Sequence, residues 1–517
     1  MTPLAIAPAV ESLGLVLISV LIAGWLLSTT ERLRWISGLL VLLLSPLVLA
    51  GSVVGDETSS LPTLSPAVIV AAGLAGAAVL AAMAAVFVRW PRAVIPAALA
   101  TLAFRVPIEI GGDSVKLLLP LYLVIGGAVV ARAWDHWRGR AVSEPRAPKL
   151  LDVAIVLYLA LYALQSLYAN DIDVATQNFC FFYSPFALLY GLAARQKWDA
   201  RLLRACVATL VTVALVLVIG GFVEFARGRY LITIGGAQPS DFDPYFRVQS
   251  FFFDPNIYGR FLAMVMLVVT AVMLYTEKTR RVFGAAGILA VLWAGLVLSL
   301  SQSSIAALLA GLIVLAALRW KTRPVLYLTG GVLLAGMVFA LAFPSVTGVD
   351  LTSSKGAETS TSGRFDLVTG GLTLWSQKPI FGQGSGDFSS AYRANKLAKH
   401  TAYGPAVTTK SHTAPLTVAS EQGIVGLAAF LLLLYAGFGA VFRRVKQEDG
   451  PHGRPGLVAR VAVAAAFTAI FVHTLAYAAF LEDPLTWVLL GCAVSLAAIP
   501  RVGSDSSDDD SAAEQPA

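Results

Sequence analysis

In a chain poor in charge, two arginines and a histidine have the types and settings that could do chemistry: Arg247, Arg364 and His412. A guanidinium keeps its charge and pairs bidentately with phosphate oxygens. Two of them could replace a metal in stabilising a diphosphate leaving group. His412 lies in Thr409-Lys410-Ser411-His412-Thr413-Ala414-Pro415, with Thr413 placed to cap a helix and Pro415 in its first turn. A helix N-terminus disfavours the imidazolium, and a histidine held neutral near pH 7 is what a general base requires. The competing reading is a structural histidine. Arg247 precedes Phe251-Phe252-Phe253-Asp254-Pro255-Asn256, where Asp254 can cap the next helix and Pro255 enters its first turn. Its competing reading is a snorkelling anchor among aromatics at a membrane interface. Arg260 and Lys410 complete the cationic set as candidate substrate contacts. No metal-ligand framework and no cofactor are expected.

These residues need elements to position them, and composition says which kind. The 517 residues are 57% hydrophobic and only 13% charged, where a soluble chain is nearer a quarter charged. Apolar runs recur from Leu13 to Ile499. Runs of about 17–25 residues can each cross a hydrocarbon core as a helix, and unpaired backbone is not tolerated in lipid. The expected fold is therefore all-α: a polytopic transmembrane helical bundle of about 12–15 spans. One candidate, 93–108, is short and holds Pro96, which suits a re-entrant segment.

Charge gives the topology. Basic loops (Arg32/Arg34, Arg89/Arg92, Arg132 to Lys149, Arg195 to Arg204, Lys278 to Arg281, Arg319 to Arg323, Arg443 to Arg460) alternate with acidic ones (Asp56/Glu57, Glu109/Asp113, Asp171/Asp173, Asp241/Asp243, Glu482/Asp483). Basic loops face the cytoplasm, which places Arg247, Arg364 and His412 on the opposite side. The N-terminus is then outside and no cleaved signal peptide is expected. The net charge of +7 is accounted for by those loops and needs no nucleic acid. Cys180, Cys206 and Cys492 fall within spans and suit packing.

Three parts are expected: N-terminal transmembrane helices over 1–150, a core over 151–500 with a long extracytoplasmic loop at 344–412, and an acidic, disordered tail over 501–517. A loop of about seventy residues is unusual unless functional or disordered. Its Thr352–Ser362 part is rich in Ser, Thr and Gly and reads as mobile. Phe365, Val368, Leu372 and Trp375 then recur at helical spacing, predicting an amphipathic interfacial helix with Ser362 as its cap and Trp375 as its anchor. Gly382-Gln383-Gly384-Ser385-Gly386-Asp387-Phe388 follows a helix rather than a strand, so a tight turn is the better reading than a nucleotide loop.

Taken together, four motifs resemble the O-antigen ligase and O-antigen polymerase superfamily of polytopic glycan-assembly enzymes. They are Arg247 with Phe252-Phe253-Asp254-Pro255-Asn256; Ser299-Leu300-Ser301-Gln302-Ser303-Ser304; Gly363-Arg364-Phe365 through Trp375 to Pro379 and Gly382-Gln383-Gly384; and His412 followed by Glu421-Gln422-Gly423. The chain departs from the family pattern at Gln302, where the family often has arginine, and at Thr413, where it commonly has asparagine. The resemblance implies a metal-independent, inverting glycosyltransferase with a GT-C-like fold in the bacterial inner membrane, its active site facing the periplasm. The donor would be a glycan on undecaprenyl diphosphate, and the acceptor a hydroxyl of a glycan or lipid. Arg247 and Arg364 would bind the diphosphate, and His412 would activate or orient the acceptor. Ligase and polymerase stay open. From another class, a secondary transporter or lipid-linked oligosaccharide flippase would place ionisable residues near the bilayer midplane; a non-catalytic envelope scaffold is the third reading.

Overall fold

The computed structural model describes residues 7–55, 66–110, 113–140, 149–232, 245–320, 322–342, 364–398, 411, 413–445, 453–477 and 479–497. In chain order the helices are α1 (Ala7–Leu27), α2 (Glu31–Gly55), α3 (Pro66–Arg89), α4 (Val94–Thr101), α5 (Leu119–Trp137), α6 (Leu150–Gln165), α7 (Ile172–Asn178), α8 (Ser184–Ala193), α9 (Ala200–Arg227) and α10 (Pro255–Leu274). They continue as α11 (Thr279–Leu298), α12 (Gln302–Arg319), α13 (Thr322–Ala342), α14 (Arg364–Gln377), α15 (Phe388–Ala398), α16 (Ala414–Phe442), α17 (Gly453–Thr474) and α18 (Pro484–Ala497). Among the described residues, nine helices are each long and apolar enough to cross a membrane, and the bent pair Gly73–Arg89 with Pro91–Thr101 makes a tenth. The protein is a multi-pass, all-α membrane protein.

Two apolar stretches depart from single straight helices. The candidate span 93–108 is helical only over α4, after a turn of 111°. The chain then forms an antiparallel hairpin, β1 (Val106–Ile110) with β2 (Asp113–Leu117), Val106 opposite Leu117. Val106, Ile108, Val115 and Leu117 alternate with polar or proline residues there, a period-two pattern that a helix cannot use. The stretch 176–194 becomes α7, a π-helical turn at Phe179–Tyr183, and α8. All three cysteines are free and buried.

The alternating charges sort into two ends of the bundle. At one end basic side chains close helix C-termini: Arg195 donates to Gly191 O (2.9 Å), Arg319 to Leu274 O (3.4 Å) and Arg444 to Ala497 O (2.9 Å). Cations there meet the negative end of the helix dipole and orphan carbonyls. The same end holds the Arg92–Asp199 pair (3.3 Å) and the His136–Glu31 pair (3.2 Å). The opposite end carries the starts of α10, α12, α16 and α18 and the end of α17. α10 anchors this layout, packing against α11, α12 and α17, while α6 packs on α16 and α8 on α18.

Candidate active site

The site end is built around the start of α10. Asp254 caps the helix as its sequence predicts: Oδ1 accepts from Asn256 N (2.7 Å) and Ile257 N (3.2 Å), with Pro255 following. Its Oδ2 accepts from the Tyr477 hydroxyl (2.6 Å). Burial first, and the Asp254 carboxylate second, hold that phenol well above its usual range, so it acts as a donor.

Arg247 is half-buried and held from two sides. Nε donates to Ser299 O (3.1 Å) and Nη2 to Asn256 Oδ1 (3.0 Å). A snorkelling anchor would keep its head in water; this one is fixed by the polar turn between α11 and α12. The backbone beside it is pinned as well. Val248 N donates to Leu298 O (3.1 Å), and Glu224 on α9, fully buried, accepts from Gln249 N (3.1 Å), Ser250 N (2.8 Å) and Leu231 N (3.2 Å). Glu224 carried no motif, so sequence gave no sign that it clamps the Arg247 segment. Phe253 takes a left-handed φ of 56° just before the cap, turning the chain into α10.

Arg260, one turn further along α10, is 1% exposed and paired with Asp483. Its ring neighbour is Tyr477, 5.9 Å away. The pairing joins α10 to the start of α18 through a buried ion pair. Arg105, between α4 and the hairpin, lines the same small cavity as Arg260 and Asp483. Burial lowers its guanidinium below the ordinary range, with Asp483 opposing that effect. Arg105 stood inside a candidate span in the sequence and was therefore missed.

The other half of the site joins α14 to α16. Gln383 N donates to Ser420 O (3.0 Å), Gly384 N to Glu421 O (2.9 Å), Ile424 N to Pro379 O (2.8 Å) and Val425 N to Ile380 O (3.3 Å). The Pro379–Gly384 segment thus straps onto α16, which unwinds at Gly423 (φ 64°, ψ −162°) to receive it. A Cβ at Gly423 would lie 2.2 Å from Ile380 O, and one at Gly382 would lie 2.2 Å from Glu421 O. Gly-x-Gly and Glu-x-Gly, far apart in sequence, are two halves of one contact. The Glu421 carboxylate finishes it, accepting from Gly386 N (3.2 Å) and Phe388 N (3.3 Å). Asp387 fastens the strap to the loop before α7, accepting from Asn170 N (2.8 Å), Asn170 Nδ2 (2.9 Å) and Asp171 N (2.8 Å).

α14 forms as predicted, with Arg364 in its first turn. Its docking face is Gly371 and Leu374, which with Leu367 meets Phe388 and Tyr392 of α15; Leu372 of the expected stripe is 48% exposed. Thr413 sits at the cap of α16, but its hydroxyl donates to Leu475 O (3.0 Å) rather than to the helix. Beside that helix start, Tyr158, Tyr183, Thr417, Glu421 and Glu482 line a small cavity. His412, Lys410, Ser362, the loop segments 344–363 and 399–410 and the tail 501–517 lie outside the described residues, as does the Arg364 side chain.

Asp171-Ile172-Asp173 has the spacing of an oxygen-ligand motif, yet Asp171 caps α7 through Val174 N (3.4 Å). Among the described residues no group of three or more His, Cys, Asp or Glu could hold a metal.

Residues 287–431 match the family model described as O-antigen ligase. The match runs from α11 into α16 and takes in Arg364, the strap, Lys410 and His412; Arg247 and Arg260 precede it. No curated protein matches the chain in sequence. Through residues 287–431 this multi-pass membrane protein is similar to the O-antigen ligase family, which supports the resemblance its four motifs carry.

Proposed function

We propose that the protein is a glycosyltransferase of cell-envelope polysaccharide assembly, moving or polymerising glycan from an undecaprenyl-diphosphate-linked donor onto an acceptor hydroxyl at the extracytoplasmic face of the bacterial inner membrane. The observation that carries this reading is the held guanidinium of Arg247, gripped by Ser299 O and Asn256 Oδ1 at the start of α10. A preorganised cation costs no reorganisation when negative charge develops on the leaving lipid diphosphate. Arg364 supplies the second cation from the first turn of α14. His412 accepts the proton of the acceptor hydroxyl, or orients it, as that oxygen attacks the anomeric carbon on the face opposite the leaving group. Attack from that face inverts the configuration. The strap between α14 and α16 supports this division of work, because it ties the helix that starts at Arg364 to the one that follows His412.

With arginines neutralising the diphosphate, the reaction requires no metal. The positive-inside pattern supports the extracytoplasmic placement, since the basic side chains gather at the end of the bundle away from Arg247. A lipid-linked oligosaccharide donor incubated with the purified protein and an acceptor tests the reading through product mass. A single added glycan identifies a ligase and a ladder of repeats a polymerase. Donor that crosses a vesicle bilayer unchanged, with no new product, would overturn transfer in favour of the flippase reading.

A further inference from the structure

We propose that His473 is a positioning residue for Arg247, acting from the far end of a chain of side-chain hydrogen bonds; this rests on Arg247 being the donor-diphosphate contact. His473 occupies the last turn of α17, is fully buried, and has its ring 5.6 Å from that of Tyr477. Its Nε2 lies 3.2 Å from Ser303 Oγ, which lies 3.2 Å from Ser301 Oγ. Ser301 Oγ is 3.0 Å from Asn256 Oδ1, the oxygen that also takes Arg247 Nη2 at 3.0 Å.

The chemistry of the guanidinium fixes the direction of every link. Arginine only donates, so the Asn256 atom facing it is the amide oxygen, which only accepts. Ser304 Oγ gives its proton to Asn256 O (3.1 Å), so Ser301 shares its single hydroxyl proton between Asn256 Oδ1 and Ser304 Oγ, 2.8 Å away, and has none for Ser303. In the contact between Ser301 and Ser303 the donor is therefore Ser303, whose own proton is now spent. Ser303 can meet His473 only as an acceptor, so Nε2 carries a proton. The order runs His473 Nε2–H to Ser303, Ser303 to Ser301, Ser301 to Asn256 Oδ1, with Arg247 donating to the same atom from the other side.

Three elements meet in this chain: α17, the turn entering α12, and the first turn of α10. Ser301 is tied down further as the cap of α12, accepting from Ser304 N (3.4 Å). Removing the donor at 473 leaves the Ser303 oxygen short of a proton and free to turn. The grip on the Asn256 amide loosens with it, and so does the plane in which Arg247 presents its nitrogens. Packing alone would ask only for an apolar side chain at 473. The position carries the donor that the chain needs, and histidine supplies it in both its neutral Nε2–H form and its charged form.

The test uses the full-length purified protein and follows polyprenyl diphosphate released from a lipid-linked donor. His473→Leu, and Ser303→Ala one link on, should each raise the donor KM by about 10-fold with a smaller change in kcat, the size of one buried hydrogen bond. His473→Gln offers an amide N–H in place of Nε2–H and should restore KM to within about threefold. The double variant His473→Leu/Ser303→Ala should be no worse than either single one. Ser303→Ala leaves the histidine in place, so a folding defect in His473→Leu does not decide the outcome. Donor KM unchanged in Ser303→Ala and His473→Leu, while Arg247→Ala is inactive, would overturn this inference alone. Full activity in Arg247→Ala would remove the site on which it rests.

Discussion

Replacing Gly423 by alanine should detach the strap from α16. The new methyl would lie 2.2 Å from Ile380 O, on a residue at φ 64° and ψ −162°. That backbone region is essentially glycine-only and costs other residues about 1–3 kcal/mol. Forcing a carbon against a backbone oxygen costs about 1–3 kcal/mol more. Against this stand the four backbone hydrogen bonds of the strap, each contributing a net of about 0.5–1.5 kcal/mol. Cost and grip are of the same size, so the contact opens rather than merely strains. Hydrogen exchange in detergent reads this directly: amides 383, 384, 424 and 425 lose protection while the rest of α16 keeps it. Donor turnover should fall at least about 10-fold, since a 1.4 kcal/mol loss of positioning has that effect. Gly439→Ala is the control, because no atom lies within 4 Å of a Cβ built there. Protection and turnover like the wild type in Gly423→Ala would refute the idea that the strap holds the two halves of the site together.

Three other perturbations follow from the same geometry. Asp483→Asn strips the counter-charge from the buried Arg260 and should lower unfolding stability by about 3–5 kcal/mol, whereas exchanging both partners for apolar residues of similar volume should cost much less; thermal melts of the single and double variants compare them. Burial, and to a lesser degree the neighbouring Asp387, raise the Asp171 carboxyl above its ordinary value. Its ionisation therefore opposes folding, a penalty absent below the ordinary carboxylate range and growing as pH rises through the raised value. Asp171→Asn can still cap α7 and should melt no lower than the wild type at pH 7, with any advantage fading under acid; a marked loss at pH 7 would contradict this. Adding a strong chelator should leave transfer unchanged, and restoration of a chelator-lost activity by a divalent cation would show that arginines do not suffice.

The membrane fold was legible because lipid leaves few choices: long apolar runs and alternating loop charge become helices with a basic and an acidic end. The cap at Asp254 was legible for the same local reason, since Asp-Pro before an apolar run encodes a helix start. What escaped the sequence is non-local. Glu224, Asp387 and Glu421 each hold backbone N–H groups distant in the chain, and no local pattern marks such a partner. Arg260 reads from the sequence as a candidate substrate contact, and no local pattern marks Asp483 as its ion-pair partner. The hairpin at 106–117 escaped because reading 93–108 as one apolar span runs past the point where the period-two alternation begins at Val106.

In the function proposed above, a held arginine and a histidine release a lipid diphosphate by glycosyl transfer. The most direct test is the release of polyprenyl diphosphate from a lipid-linked oligosaccharide by the purified wild type, Arg247→Ala and His412→Ala. The account expects release with matching glycan transfer in the wild type and a loss of at least about 100-fold in each variant, the size of one removed charge-stabilising or proton-transfer group. Release and transfer undiminished in both variants would contradict it.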